Sequence, residues 1–296
     1  MKIAVIQQYA PISYNRHREL PELSLLKDRS ERSVDRCLQL IDEAAADGAE
    51  LCVTVETVNA YLALGDTRFE YDEPIDGNVV KRFSESAKRN GIYIVAGLAL
   101  KIDGAPYNCA VLFDNKGEIA GIHKKVHLPA GEELHYRHGD RFEVFETPIG
   151  RIGMLVCWDM QFPEAARELA LGGADLIACP TYGWENIYGL SRAYENSVYI
   201  AAGMCTYKHG LYSENDPSCI VDNMGRILAV CDRDSEGVAI ADVDIAHEPL
   251  PQYGSEQYYP SHSMRKTRLS QRRPGAYRLA NMANSDLPLY KRYFED

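Results

Sequence analysis

Short apolar runs rich in β-branched residues recur along this chain, separated by segments whose apolar residues repeat at helical spacing. Residues 2–7 form the first run. From Asp28 a helical pattern follows through Val34, Cys37, Leu38 and Ile41, with Asp28 and Glu31 placed as a capping box and Gly48 as the stop. Residues 51–56 predict a strand ending in Glu56, and Val79, Val80, Phe83 and Ala87 predict a helix from about Asn78 to Gly91. The pattern then changes. Runs at 92–100, 107–113 and 118–128 follow without a helix, the last two joined by a turn over Asp114-Asn115-Lys116-Gly117.

Alternation resumes with a strand ending at Cys157, a helix from Pro163 to Gly172 and a strand over 174–179. A helix near 189–197, a strand at 199–205, a hairpin turning at Asn223-Met224-Gly225 and a strand at 238–244 complete the pattern. These elements predict a mixed sheet flanked by helices in layers. No Pro/Gly/Ser-rich linker divides the 296 residues, so one domain is expected over 1–246. Residues 247–296, rich in Tyr, Pro, Ser and Arg, are expected to form an extended arm that packs on the domain or on a dimer partner.

The net charge of −11, with no basic cluster before the tail, argues against nucleic acid or an anionic membrane as a partner. No stretch approaches the ~20 apolar residues that span a bilayer, and the first apolar run is too short for a signal-peptide core. The eight cysteines show no C-x-x-C pairing, so neither a disulfide framework nor a zinc site is expected, and a reducing cytoplasm fits best. Seven of them (Cys37, Cys52, Cys109, Cys179, Cys205, Cys219 and Cys231) read as small core hydrophobes.

Cys157 differs. It ends the run Arg151-Ile152-Gly153-Met154-Leu155-Val156 and is followed by Trp158-Asp159-Met160-Gln161-Phe162-Pro163-Glu164. A strand would deliver its thiol to a sheet edge beside the N–H groups of a turn, which can hold an oxyanion. Glu56 ends a second strand, and Lys125 lies in Ile122-His123-Lys124-Lys125-Val126-His127-Leu128, where strand alternation puts His123, Lys125 and His127 on one face. A carboxylate near a thiol can take its proton, and an ammonium can stabilise the developing negative charge. Composition and spacing alone do not bring the three together.

The order Glu56, Lys125-Val126-His127-Leu128, Cys157-Trp158-Asp159 and Phe162-Pro163-Glu164 resembles the nitrilase superfamily of carbon–nitrogen hydrolases. Gly139-Asp140, Arg192-Ala193-Tyr194-Glu195-Asn196, Ser218-Cys219-Ile220-Val221-Asp222 and Arg272-Arg273-Pro274-Gly275-Ala276-Tyr277 extend the resemblance over nearly the whole chain. It departs at Val55, where the family often has proline, and at His123, where tyrosine or phenylalanine is common.

The resemblance implies an α-β-β-α sandwich whose dimers stack into a longer layered body. It further implies Cys157 as nucleophile, Glu56 as general base, Lys125 as oxyanion stabiliser with the Trp158 N–H, and Glu132 as a second glutamate that orients substrate or assists water. Phe162-Pro163-Glu164 favours a small amide or N-carbamoyl substrate, with a nitrile as the alternative. Tyr182, Trp184, Trp158, Met160 and Gln161 are the candidate substrate-binding residues, together with Asn186. No cofactor is expected, since no glycine-rich phosphate loop follows any strand. Two rival readings remain. One is a metallohydrolase using His135, His138, Glu132, Glu133 and Asp140, or His123 and His127. The other is a non-catalytic binding protein on the same fold.

Overall fold

The computed structural model describes residues 1–9, 23–60, 73–206, 215–247 and 263–294. The chain divides into two units, Met1–His247 and Glu248–Asp296. The first carries β1 (Lys2–Tyr9), α1 (Leu23–Ala46), β2 (Leu51–Val53), β3 (Glu73–Pro74), α2 (Asn78–Asn90), β4 (Tyr93–Ile102), β5 (Ala105–Phe113) and β6 (Ile119–Lys124). It continues with β7 (Val144–Thr147), β8 (Gly150–Met154), α3 (Pro163–Leu171), β9 (Leu176–Thr181), α4 (Asn186–Asn196), β10 (Tyr199–Thr206), β11 (Cys219–Val221), β12 (Ile227–Val230) and β13 (Gly237–Asp242). The second unit carries α5 (Met264–Gln271), whose first turn is capped by Ser263 accepting the Lys266 N–H at 3.2 Å, and α6 (Pro288–Phe294).

The strands of the first unit form two halves. One runs β13-β1-β2-β4-β5-β6 and the other β12-β11-β10-β9-β8-β7, with a parallel core in each and antiparallel pairs outside it. Among the described residues they join where Gln8 and Tyr9 of β1 pair with Cys205 and Thr206 of β10.

Side-chain alternation turns this topology into layers. Ile3, Val5, Leu51, Val53, Tyr93, Val95, Ala110 and Leu112 of the first half meet Ile152, Met154, Leu176, Ala178, Tyr199, Ala201 and Ile220 of the second in one buried core. The alternate residues point outward. Ala4, Ile6, Cys52, Ile94, Ala96, Leu98, Val111 and Phe113 pack with α1 and α2. Ile177, Cys179, Ile200, Ala202, Cys219 and Val221 pack with residues of α3 and α4. Reading outward to outward, the order is helices, sheet, sheet, helices.

Helix α2 follows its sequence pattern: Val79, Val80, Phe83 and Ala87 are buried, and Gly91 ends it at φ +67°, a left-handed cap that suits glycine. Helix α1 differs from expectation. It already runs from Leu23, so Asp28 lies inside it and pairs with Arg32, while Glu31 bridges to Arg82 of α2 at 3.0 Å. The spacing that reads as a capping box is here a set of surface ion pairs. Among the described residues, no helix is long and apolar enough to cross a membrane.

Candidate active site

Two strand ends and one strand exit converge on Cys157. Strand β2 stops at Val53, three residues before Glu56, and the chain leaves through a tight turn in which Thr57 has φ +43°. Strand β6 stops at Lys124, so Lys125 lies just beyond it, its N–H bonded to the Asn108 carbonyl at 2.8 Å. Strand β8 stops at Met154, and Cys157 opens a 3₁₀ turn over Cys157–Gln161 with φ +45°. That left-handed backbone is uncommon for a residue bearing a Cβ and is strained, as is frequent where a side chain must be presented at a site.

Glycines let the base strand approach its neighbours. A Cβ on Gly97 would sit 2.3 Å from the Val55 carbonyl oxygen and 2.8 Å from the Glu56 Cα. A Cβ on Gly203 would sit 2.3 Å from the Thr54 carbonyl oxygen. Both obstacles are backbone and cannot swing away. Gly97→Ala is therefore expected to displace Glu56, lowering turnover by ~10²-fold and stability by about 1–3 kcal/mol. Melting and ammonia release measured on one preparation check this; an unchanged rate would contradict the close approach.

Glu56 and Lys125 are both buried. Lys125 Nζ donates to Glu56 Oε1 at 2.8 Å and to Glu132 Oε2 at 2.9 Å. Glu56 Oε1 also accepts from Asn108 Nδ2 at 2.7 Å, and its Oε2 accepts the Tyr182 N–H at 2.9 Å. Burial opposes the Lys125 charge, but the carboxylates of Glu56 and Glu132 outweigh it and hold the ammonium well above its ordinary pKa. Burial and the Glu56 and Glu132 charges push the Cys157 thiol up to about 12, against the pull of Lys125 and of a hydrogen bond from Thr181. At neutral pH the resting sulfur is a thiol. The N–H of Trp158, second in the 3₁₀ turn, belongs to the first N–H groups of a helical segment, which lack acceptors within it.

Asp159 ties the cysteine turn to the lysine loop. Its Oδ2 accepts from the Val156 N–H at 3.2 Å and from His123 Nε2 at 2.9 Å. Its Oδ1 accepts from the N–H groups of Val126 at 3.2 Å and His127 at 2.8 Å, and from His127 Nδ1 at 2.9 Å. Burial alone would raise this carboxyl, yet the two imidazoles and the His127 N–H hold it well below the usual carboxylate range. An ionised carboxylate only accepts, so the contacting nitrogens carry the protons. The His127 ring also stacks on Phe162, with centroids 3.7 Å apart.

The sequence-predicted residues thus divide. Glu56, Lys125, Glu132 and Cys157 come together, whereas His123 and His127 turn to Asp159 instead of sharing a purpose with Lys125. Trp158, 40% exposed, follows Cys157. Tyr182 contributes its backbone N–H to Glu56. Met160 and Trp184 are wholly buried in the core beneath the second sheet, out of reach of solvent, and Trp184 Nε1 donates to Asn186 Oδ1. Gln161 is half-buried, its carbonyl accepting from Arg192. Of the histidines raised as metal ligands, His123 and His127 are engaged by Asp159, and His138 Nδ1 bonds the Val126 carbonyl at 2.7 Å. Asn108 and Asp159 were missed as site residues. Asn108 had one signal, a lone amide in the otherwise apolar run 107–113.

Residues 2–248 match the carbon–nitrogen hydrolase family model. Among curated relatives, nitrilase homolog 2 of Dictyostelium discoideum is 32% identical over 75% of this chain and 73% of its own. Omega-amidase NIT2 of Xenopus tropicalis is 32% identical, covering 73% and 84%. Deaminated glutathione amidase of Mus musculus is 28% identical, covering 76% and 79%. In fold, a carbon–nitrogen hydrolase from Helicobacter pylori G27 superposes with a TM-score of 0.76 at 22% identity, over 96% of this chain and 98% of that one. The chain belongs to the carbon–nitrogen hydrolase family of the nitrilase superfamily.

Proposed function

We propose that this carbon–nitrogen hydrolase cleaves a small carboxamide or N-carbamoyl compound through a thioester on Cys157. The observation that carries the reading is the buried ammonium of Lys125 held between Glu56 and Glu132 beside the cysteine. The amidase relatives support the same bond type.

Because the thiol is neutral at rest, its proton moves as the sulfur attacks. Glu56 accepts it while the Cys157 sulfur bonds to the carbonyl carbon, and the carbonyl oxygen becomes an oxyanion. Lys125 Nζ and the Trp158 N–H stabilise that charge. Collapse breaks the carbon–nitrogen bond, and Glu56 returns the proton to the departing nitrogen as ammonia or an amine leaves. Water, deprotonated by Glu56 and oriented by Glu132, then attacks the thioester. The acid is released and the thiol restored.

A panel of small carboxamides, N-carbamoyl compounds and nitriles, assayed for ammonia with Cys157→Ala in parallel, tests this. Release from amides or carbamoyl compounds that vanishes in the variant is expected. Release from nitriles alone would reassign the scissile bond, and undiminished release by the variant would remove Cys157 from the chemistry.

A further inference from the structure

We propose that Asn108 is a positioning residue of this site, acting through Glu56 so that Oε2 is the oxygen left to receive the Cys157 proton. The proposal rests on the reading of Glu56 as base. An ionised carboxylate offers about four acceptor directions, two on each oxygen. Glu56 Oε1 uses both, for Lys125 Nζ at 2.8 Å and Asn108 Nδ2 at 2.7 Å. Among the described residues Oε2 uses one, for the Tyr182 N–H at 2.9 Å, and keeps one.

Lys125 alone would not set this choice. Its ammonium has three rotatable donors on a long stem, and a second carboxylate, Glu132, draws it at 2.9 Å. The last torsion of a glutamate is soft, so a carboxylate held by such a partner can rotate. The Asn108 amide is planar and directional, and it is itself anchored. Its backbone carbonyl accepts the Lys125 N–H at 2.8 Å, its Cα pairs with that of Ala99 in the β4–β5 ladder, and the residue is 1% exposed. One strand residue therefore fixes the base by its side chain and the lysine by its backbone.

A second observation separates this role from packing. Asn108 Oδ1 is buried and has no hydrogen-bond partner among the described residues. A half-satisfied buried amide carries the cost of its orphan acceptor, which its bond to Glu56 must offset. Packing selects against asparagine here; holding Glu56 selects for it.

The test uses Asn108→Leu, which keeps the branch at Cγ with bulkier methyl groups in place of the amide, and Asn108→Ala, which removes the donor without adding bulk or charge. Melting temperature, kcat and KM for the best amide, and the rate of Cys157 alkylation by iodoacetamide are measured beside the wild type. For Asn108→Leu we expect a lowered melting temperature from the lost bond to a buried carboxylate, kcat lower by ~10–10²-fold, KM changed less than about threefold, and alkylation slowed in step with kcat. Asn108→Ala repeats the kinetic losses if the leucine variant does not fold. Unchanged kcat overturns the proposal. So does a fall in kcat with alkylation at the wild-type rate, since Asn108 would then act on substrate and not through Glu56. If the wild type hydrolyses no amide in the panel, the functional reading fails separately. Alkylation still decides the coupling: slowed labelling in the variant upholds it, and equal labelling removes it.

Discussion

Lys125→Met is expected to lower turnover by at least ~10²–10³-fold, the usual consequence of losing one oxyanion donor, and to weaken the fold as well. Sequence reasoning foresees only the first effect, because the resemblance gives Lys125 a role toward the oxyanion and does not say which groups its side chain holds. In the structure its side chain is fully buried and holds two carboxylates, Glu56 at 2.8 Å and Glu132 at 2.9 Å. Removing the shared cation leaves like charges facing each other out of water. Breaking a buried pair by deleting one partner typically costs about 3–5 kcal/mol, a large part of the about 5–15 kcal/mol that holds an ordinary domain together. Denaturant titration and ammonia release measured together check both halves. A variant with wild-type stability would show that Lys125 is not the bridge described, and one with wild-type turnover would remove it from the mechanism.

The second large effect is expected at Asp159→Asn. Every hydrogen bond to this side chain comes from a donor: two imidazole nitrogens and the N–H groups of Val156, Val126 and His127. An amide presents its own NH₂ to one of these sets whichever way it turns, so the variant loses the charge and gains a donor–donor clash. A loss of about 3–5 kcal/mol is expected. Turnover should fall too, since the turn that carries Cys157 is tied to the lysine loop through this carboxylate.

The pH dependence carries a sign. The folded-state pKa of Asp159 is lowered, because hydrogen bonds from His123 and His127 outweigh its burial. Its stabilisation is therefore fully present above the ordinary carboxylate value of about 4 and is lost as pH falls through the lower folded value. The stability gap between wild type and variant should narrow as pH falls below about 4. A gap that widens in acid would contradict the assignment.

How far the sequence carries can be judged residue by residue. The helix over 78–90 and the strands at 93–102, 105–113 and 199–206 follow from apolar period and glycine stops, because each is decided by neighbours within a few turns of chain. The strands expected over 51–56, over 118–128 and up to Cys157 stop earlier, at Val53, Lys124 and Met154. Val55 and Val156 remain buried after the ladder ends, so apolarity continues where strand pairing does not. Trp184 and Met160 illustrate another limit. An aromatic after a strand and a methionine after a nucleophile can line a pocket or fill a core, and only packing decides which; here both lie in the core.

By itself the sequence determined the layered α/β plan, through two periodicities that local backbone geometry imposes, and singled out Glu56, Lys125, Glu132 and Cys157 by their order along a familiar pattern. Tertiary structure alone decided what those residues touch. That Lys125 is shared by two carboxylates, that Asn108 donates to Glu56 and that Asp159 joins the cysteine turn to the lysine loop all depend on contacts between residues up to 69 positions apart. Such contacts are set by which strand lies beside which, and no local propensity encodes that.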